Sequence, residues 1–452
     1  MESSAKVNVS DIIDQNPFGA YQVGLGVLVG VCLMIAGFDV QAMGYVAPAL
    51  VRDWGIANSV LGPVFSAALA GVLVGSLLLS MLADKIGRRP VLVGAALFFG
   101  VMTLWTARAN SVTELLVVRF LAGIGLGAVV PNTTALIGEY SPARMRVPIM
   151  MIVGNSFNIG AAFGGFIAAW LIPAFGWRAV FYFGGAVPLA LAVLMIVLLP
   201  ESLQFLVLQG KKLHQVTKTL KRIAPAASVS NATEYVVREE KKQGIPFVNL
   251  FHEGRAAVTT LLWTVFFLNL LNLYLLASWL PTLVSQLGYS TANAVLVGTT
   301  LQVGAVTGSF VNAAFVRRLG ITTLLTAGFT IGCLSVALIG QVGFSLSLLF
   351  VVVFLAGWGV PGSQGMLNTF AATYYPTYLR STGVGWCLGI GRTGAIVGPL
   401  FAGELMRRQW QNQQLFLAAA SLALIAAVVI FFLRFLIKPQ KTLAAATSAA
   451  SH

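Results

Sequence analysis

Apolar residues gather in long stretches along this 452-residue chain, with short polar turns between them. An α-helix needs about 20 apolar residues to cross a hydrocarbon layer about 30 Å thick. Twelve stretches meet that length, at roughly 22–47, 59–82, 91–109, 112–137, 148–171, 178–199, 257–283, 292–315, 321–341, 346–372, 383–405 and 413–437. A polar segment from Pro200 to Arg255 separates the sixth from the seventh. The pattern predicts an all-α membrane protein with two six-helix halves, 22–199 and 257–437, a central loop at 200–256, and polar ends at 1–21 and 438–452.

Basic residues orient these spans, because cytoplasmic loops carry an excess of Lys and Arg. With both termini inside, 21 of the 28 Lys and Arg fall on the cytoplasmic side, 5 fall outside, and Arg119 and Arg392 lie within spans. The net charge of +14 then faces anionic lipid, and nucleic acid is not needed to explain it.

Two motifs recur at nearly one spacing. YSPARMR (Tyr140–Arg146) follows the fourth span and YYPTYLR (Tyr374–Arg380) the tenth; both read Tyr-x-Pro-x-x-x-Arg, 234 residues apart. LADKIGRR follows the second span and AFVRRLG the eighth. Both copies of each motif fall on one side, so the halves are predicted to be parallel pseudo-repeats about an axis along the membrane normal. In that architecture substrate binds near the midplane between halves that rock around it.

Composition agrees: 58% of residues are hydrophobic, 9% are charged, and the mean hydropathy is +0.86. Soluble domains carry about 25% charged residues. Cys32, Cys333 and Cys387 lie in separate apolar stretches, a packing pattern without disulfide or metal spacing. The polar first 21 residues predict no secretory signal peptide. The absence of a G-x-x-x-x-G-K-[ST] loop argues against an ATP-driven pump. With no intramembrane histidine, Cys–His pair or metal spacing, neither enzyme chemistry nor a metal or cofactor is expected.

Six stretches carry a family resemblance. LADKIGRRPVL resembles the loop 2–3 signature of the major facilitator superfamily, and RFLAGIGLGAVVPN its fourth-helix signature. GFDVQAMGYVAPAL, PESLQFL, YLLASWLPTL and GIGRTGAIVGP resemble its aromatic acid:proton symporter branch. The resemblance implies a monomeric secondary transporter of the cell inner membrane, importing a small aromatic or related carboxylate by proton symport with alternating access. A proton-coupled exporter of drugs or metabolites shares the fold and is the alternative. A transport-like sensor would need a signalling module in the central loop, where a run such as REEKKQG reads as a short solvated helix and linker. Three positions depart from the branch: Ala36 replaces the first acid of Asp-Gly-x-Asp, Ser80 replaces a Gly, and Val316 replaces an Asp of the loop 8–9 echo.

Asp39 thus stands alone in the first span. An Asp at the centre of a spanning helix costs about 2.5–3.5 kcal/mol on insertion scales, so it needs a partner or a wet cavity. Asp39 and Arg119 each lie eight residues from the outer end of their span, roughly 12 Å deep at 1.5 Å per residue. In the superfamily fold helices 1 and 4 pack together, so these two can pair. An adjacent Arg keeps the carboxylate ionised, and separating the pair favours proton uptake; a static pair holding two helices in register is the plainer reading. His214, His252 and His452 all lie in loops or the tail, so any proton must ride on a carboxylate.

Arg392 lies about ten residues into the eleventh span, roughly 15 Å deep, with no acid at that depth on its own helix. It can receive a substrate carboxylate bidentately or pair with a neighbouring helix. Asn132, Asn155, Asn158, Gln302, Gln364 and Asn368 are candidates to complete a site or to bond between helices. Phe38, Tyr45, Trp279 and Trp386 can stack on an aromatic ring or pack. Asp84, Arg88 and Arg89 form a candidate cytoplasmic gate, with Glu139, Arg146 and Arg380 at neighbouring helix ends.

Overall fold

The computed structural model describes residues 6–210, 213–224, 234–236, 247–341 and 345–436. Among them are 12 helices long and apolar enough to cross a membrane. In the first half these are α1 (Ala20–Trp54), α2 (Leu61–Ile86), α3 (Arg88–Thr106), α4 (Val112–Tyr140), α5 (Ala143–Phe175) and α6 (Arg178–Leu198). The second half holds α7 (Ala256–Gln286), α8 (Thr291–Leu319), α9 (Ile321–Ile339), α10 (Leu346–Tyr374), α11 (Thr377–Arg407) and α12 (Asn412–Leu436).

Most helices overrun the apolar stretches that predict them, because polar turns at their ends stay helical, whereas α3, α6 and α9 stop one to three residues short of the predicted C-terminal end. α1 continues past 47 through Arg52 and closes at Gly55, whose φ of 61° is the left-handed cap that glycine favours. α10 is not one continuous helix. It stops at Gly359, makes a 3₁₀ turn over Pro361–Ser363 and resumes at Gln364, since Pro361 cannot continue the hydrogen-bond ladder.

The repeat is visible in the packing. α1 lies on α5 and α2 on α4; six helices later α7 lies on α11 and α8 on α10. Small residues permit these crossings. A Cβ on Gly37 would sit 1.9 Å from the Phe157 carbonyl, and one on Gly160 would sit 1.9 Å from that of Met34. Lipid gives no hydrophobic drive for helix association, so such close backbone contact is where packing energy comes from.

Twelve crossings bring both described ends of the chain to one face, called here the terminal face. There β1 (Lys6–Asn8) pairs in parallel with β2 (Glu234–Val236) of the central loop. A helix at Leu213–Ile223 buries Val216, Leu220 and Ile223 in a cluster with Val9, Ile13 and Tyr235. This part of the central loop is therefore packed rather than solvated. The REEKKQG run, Lys438 and Lys441 lie outside the described residues.

The two halves meet at the opposite, far face. Four of the hydrogen bonds between described residues that join them are these. Gln41 donates to the Ala277 carbonyl at 2.5 Å, Gln302 to the Gln41 carbonyl oxygen at 3.1 Å, Ser66 to the Ile396 carbonyl at 2.7 Å, and Arg52 to the Ser285 hydroxyl at 2.5 Å. All four lie in the half of the bundle away from the termini, so the halves are closed there.

Candidate functional site

Four helices of the first half build the charged centre. Asp39 on α1 and Arg119 on α4 are both fully buried. The Arg119 guanidinium grips the carboxylate with both terminal nitrogens, Nη1 to Oδ1 at 3.2 Å and Nη2 to Oδ2 at 2.9 Å. Nη2 also reaches the Asp39 backbone carbonyl at 3.1 Å. From α3 the Thr103 hydroxyl donates to Asp39 Oδ1 at 2.8 Å. Phe181 of α6 lies under the guanidinium, 5.7 Å from ring centroid to Cζ. The paired fork is the geometry in which a carboxylate–guanidinium bond is strongest. Removing one partner of a buried pair costs about 3–5 kcal/mol, because the other charge is left uncompensated. Arg119 Nε has no hydrogen-bond partner, so the cation is not fully saturated.

This pair borders the space between the halves. A narrow cavity runs between α1, α2, α4 and α7, with Gln41, Phe65, Leu69, Arg119, Tyr274 and Ser278 in its wall. Its free volume is about 20 Å³, room for roughly one water. A benzoate-sized molecule does not fit this cavity in the present conformation.

Arg392 approaches from α11. It is half-buried, and its charge acts on the Tyr274 side chain, which lines the cavity. Among the described residues none forms an ion pair or hydrogen bond with its guanidinium. A cation at this depth without an internal counter-charge is open to an anion from solution.

The remaining candidates are dispersed. Gln364 accepts from Asn269 Nδ2 at 2.8 Å and donates to Asn368 at 3.0 Å, a chain of amides on α7 and α10. Asn132 donates to the Ala128 carbonyl of its own helix, and Asn158 donates to Asn155. Gln302 bonds Gln41 rather than facing the cavity. Tyr45 is fully buried at the junction of α1, α5 and α8, where its hydroxyl donates to the Ala161 carbonyl at 2.9 Å. Trp279 donates to the Pro399 carbonyl and meets Phe65 edge-on.

Phe38 and Trp386 are placed away from the cavity. Phe38 is wedged between Gly164 and Gly184 and meets Phe183 edge-on at 5.7 Å. One residue before Asp39 on a helix points about 100° away, and that direction leads between α5 and α6. Trp386 belongs to an aromatic cluster with Trp263 and Phe247 near the terminal face, and it is 42% exposed.

At the terminal face the gate candidates divide in two. Arg88 pairs with Glu139 at 3.0 Å, and Glu139 accepts from the Ser202 hydroxyl at 2.5 Å. Glu201 receives the backbone N–H groups of Arg88 at 2.8 Å, Arg89 at 3.2 Å and Ser202 at 2.9 Å. It thereby caps the N-terminus of α3, where a carboxylate is favoured by the helix dipole. Gly87 makes room for it: its φ is 104°, and a Cβ there would lie 2.4 Å from Glu201 Oε2. The Arg89 guanidinium donates to the Ile196 carbonyl, and that of Arg146 to the Ser141 carbonyl at 3.3 Å. This network ties loop 2–3 to the segment after α6 within one half. Asp84 and Arg380 are exposed and, among the described residues, make no ion pair or hydrogen bond.

If Asp84 latches the terminal face only when that face closes, Asp84→Asn should favour the form in which that face is open. Cysteine labelling from the far side should then fall. Equal labelling of parent and variant on both sides would remove Asp84 from the gate.

The arrangement of two six-helix halves, closed at one face around a central charged cavity, is that of a known class. The sequence profile of the Major Facilitator Superfamily matches residues 29–386 and 262–451. The chain is 40% identical to the 4-hydroxybenzoate transporter PcaK of Pseudomonas putida over 434 residues, covering 94% of this chain and 95% of that one.

The chain belongs to the aromatic acid transporters of the major facilitator superfamily.

It is also 38% identical to the 4-hydroxybenzoate transporter PcaK of Acinetobacter baylyi (94% of each chain) and 39% identical to the gallate transporter of Pseudomonas putida (89% of each). The fold is shared with the xylose transporter XylE of E. coli in a partially occluded inward open conformation, at a TM-score of 0.71 and 17% identity, over 93% of this chain and 100% of that one. The protein is a multi-pass membrane transporter and not an enzyme.

Proposed function

We propose that this transporter imports a small aromatic carboxylate by proton symport and alternating access. The observation that carries the reading is the fully buried, bidentate Asp39–Arg119 pair bordering the central cavity, with the unpaired Arg392 guanidinium near Tyr274 on the other half. Asp39 is the carboxylate of α1 at membrane depth, and Arg119 grips it with both terminal nitrogens. Protonation of Asp39 would free Arg119, and rearrangement of the pair would change how the halves meet. Arg392 receives the substrate carboxylate. The relatives' printed substrates, 4-hydroxybenzoate and gallate, support an aromatic acid as that carboxylate.

The terminal face is cytoplasmic in this reading, in an inner membrane, with both termini inside. The far-face closure then makes this the inward-facing form of a monomer surrounded by lipid. Uptake of radiolabelled 4-hydroxybenzoate by proteoliposomes under an inward proton gradient tests the proposal. Uptake should be competed by aromatic acids and abolished by a protonophore. Gradient-driven efflux instead would favour an exporter.

A further expectation concerns Arg119→Ala. The charged form of Asp39 loses its counter-charge, so the pH profile of transport should move relative to the parent. An unchanged profile in an active variant would remove Arg119 from the coupling step.

A further inference from the structure

The two faces of one turn of α1 are used for different purposes. Residues two apart on a helix point about 200° apart. Asp39 points into the first half, towards Arg119 and Thr103. Gln41 therefore points the other way, into the second half, and it is 6% exposed. Its Nε2 donates to the Ala277 carbonyl of α7 at 2.5 Å, and its Oε1 accepts from Gln302 Nε2 of α8 at 3.1 Å. Gln302 is 5% exposed. The backbones are close here: a Cβ on Gly44 would lie 2.7 Å from the same Ala277 oxygen.

The polarity of this chain of bonds is fixed by chemistry. A carbonyl can only accept, so Gln41 must present its nitrogen to Ala277. Its oxygen then faces Gln302, which must present its own nitrogen. One amide of the first half is thus held by two helices of the second. The same side chain walls the central cavity alongside Arg119 and Tyr274. Arg119 also grips the Asp39 backbone carbonyl at 3.1 Å. This turn of α1 is bonded to α4 on one side and to α7 and α8 on the other.

We infer that Gln41 is a positioning residue that locks the far face, and that Gln302 is its partner. The inference rests on the alternating-access reading above. Opening the far face pulls α1 from α7 and α8 and breaks both bonds. Water then satisfies the freed amides and the Ala277 carbonyl. In the closed form a deleted amide takes away both bonds across the halves, and the narrow cavity beside it has room for only about one water to serve the buried carbonyl. Removing the Gln41 amide therefore penalises the closed form and spares the open one. A difference between two states is what shifts an equilibrium. Because Gln41 shares its turn with Asp39, movement at the carboxylate is transmitted directly to the lock.

The test measures far-face opening without substrate. Spin labels are placed at Ala57→Cys and Gln411→Cys, exposed positions on the two halves, after the three native cysteines are replaced by alanine. Pulsed electron–electron distances are recorded in lipid nanodiscs. Gln41→Ala and Gln302→Leu should each raise the ratio of long to short distances, by roughly 5- to 100-fold for loss of one or two such bonds. The double variant should move no further than Gln41→Ala alone, because Gln302 acts through Gln41. Distances unchanged from the parent in both single variants would overturn the lock. Should Gln41→Ala fail to fold, Gln302→Leu, which alters only the far half of the contact, decides the question alone. Since no substrate or proton gradient is present, a negative result here leaves the transport proposal standing. Lost uptake with a normal distance shift does the reverse.

Discussion

Asp39→Asn should lose all accumulation of substrate against a gradient while retaining facilitated exchange. The amide keeps an oxygen that can accept from Thr103 and Arg119, so the local hydrogen bonds survive in part. It cannot take up and release a proton, so the energy of the gradient no longer reaches the substrate. Stability should fall as well, because Arg119 remains cationic in a site with no exposure, and uncompensated buried charges cost about 3–5 kcal/mol. A thermal shift assay reads that loss, and counterflow of labelled against unlabelled substrate reads the retained exchange. Concentrative uptake at the parental level by this variant would end the coupling role of Asp39.

The second large effect is expected at Arg392. A charged hydrogen bond contributes roughly 1.5–3 kcal/mol. Its loss in Arg392→Ala should weaken binding of the aromatic acid by about one to two powers of ten. Arg392→Lys keeps the charge without the planar fork and should fall between the two. The amide analogue of the substrate should bind the parent poorly and discriminate little among the three proteins. Calorimetry with acid and amide on all three measures this directly. An Arg392→Ala variant that binds the acid as tightly as the parent would place the carboxylate site elsewhere.

The spans were legible because hydrocarbon thickness imposes a length that composition alone can reveal. Their ends were not, since Arg52 and Asp53 prolong α1 without prolonging its apolar run. The Asp39–Arg119 contact could be anticipated from equal depths on helices known to pack in the family. Thr103 could not: a threonine within a helix ordinarily bonds back to its own backbone, as Thr133 and Thr299 do here. Nothing in the sequence distinguishes the one that bonds a carboxylate.

Side-chain direction was the main blind spot. Phe38 adjoins Asp39 in sequence yet faces Gly164 and Gly184, because neighbours on a helix diverge. Gln302 reads as a cavity polar group, but its partner, Gln41, lies 261 residues away. Only the packing of the two halves brings those amides together. The same holds for Glu201, whose capping of α3 depends on the segment after α6 returning to loop 2–3.

Substrate-driven proton movement tests the account most directly. Purified protein in proteoliposomes carries a pH-sensitive dye in the lumen, and 4-hydroxybenzoate is added outside without an imposed gradient. An undissociated aromatic acid crosses lipid unaided, so liposomes bearing Asp39→Asn set the background. The account predicts lumenal acidification faster than that background in the parent, saturating with substrate and diminished in Arg392→Ala. Acidification in the parent no faster than in Asp39→Asn, with labelled substrate still entering, would contradict proton symport through Asp39.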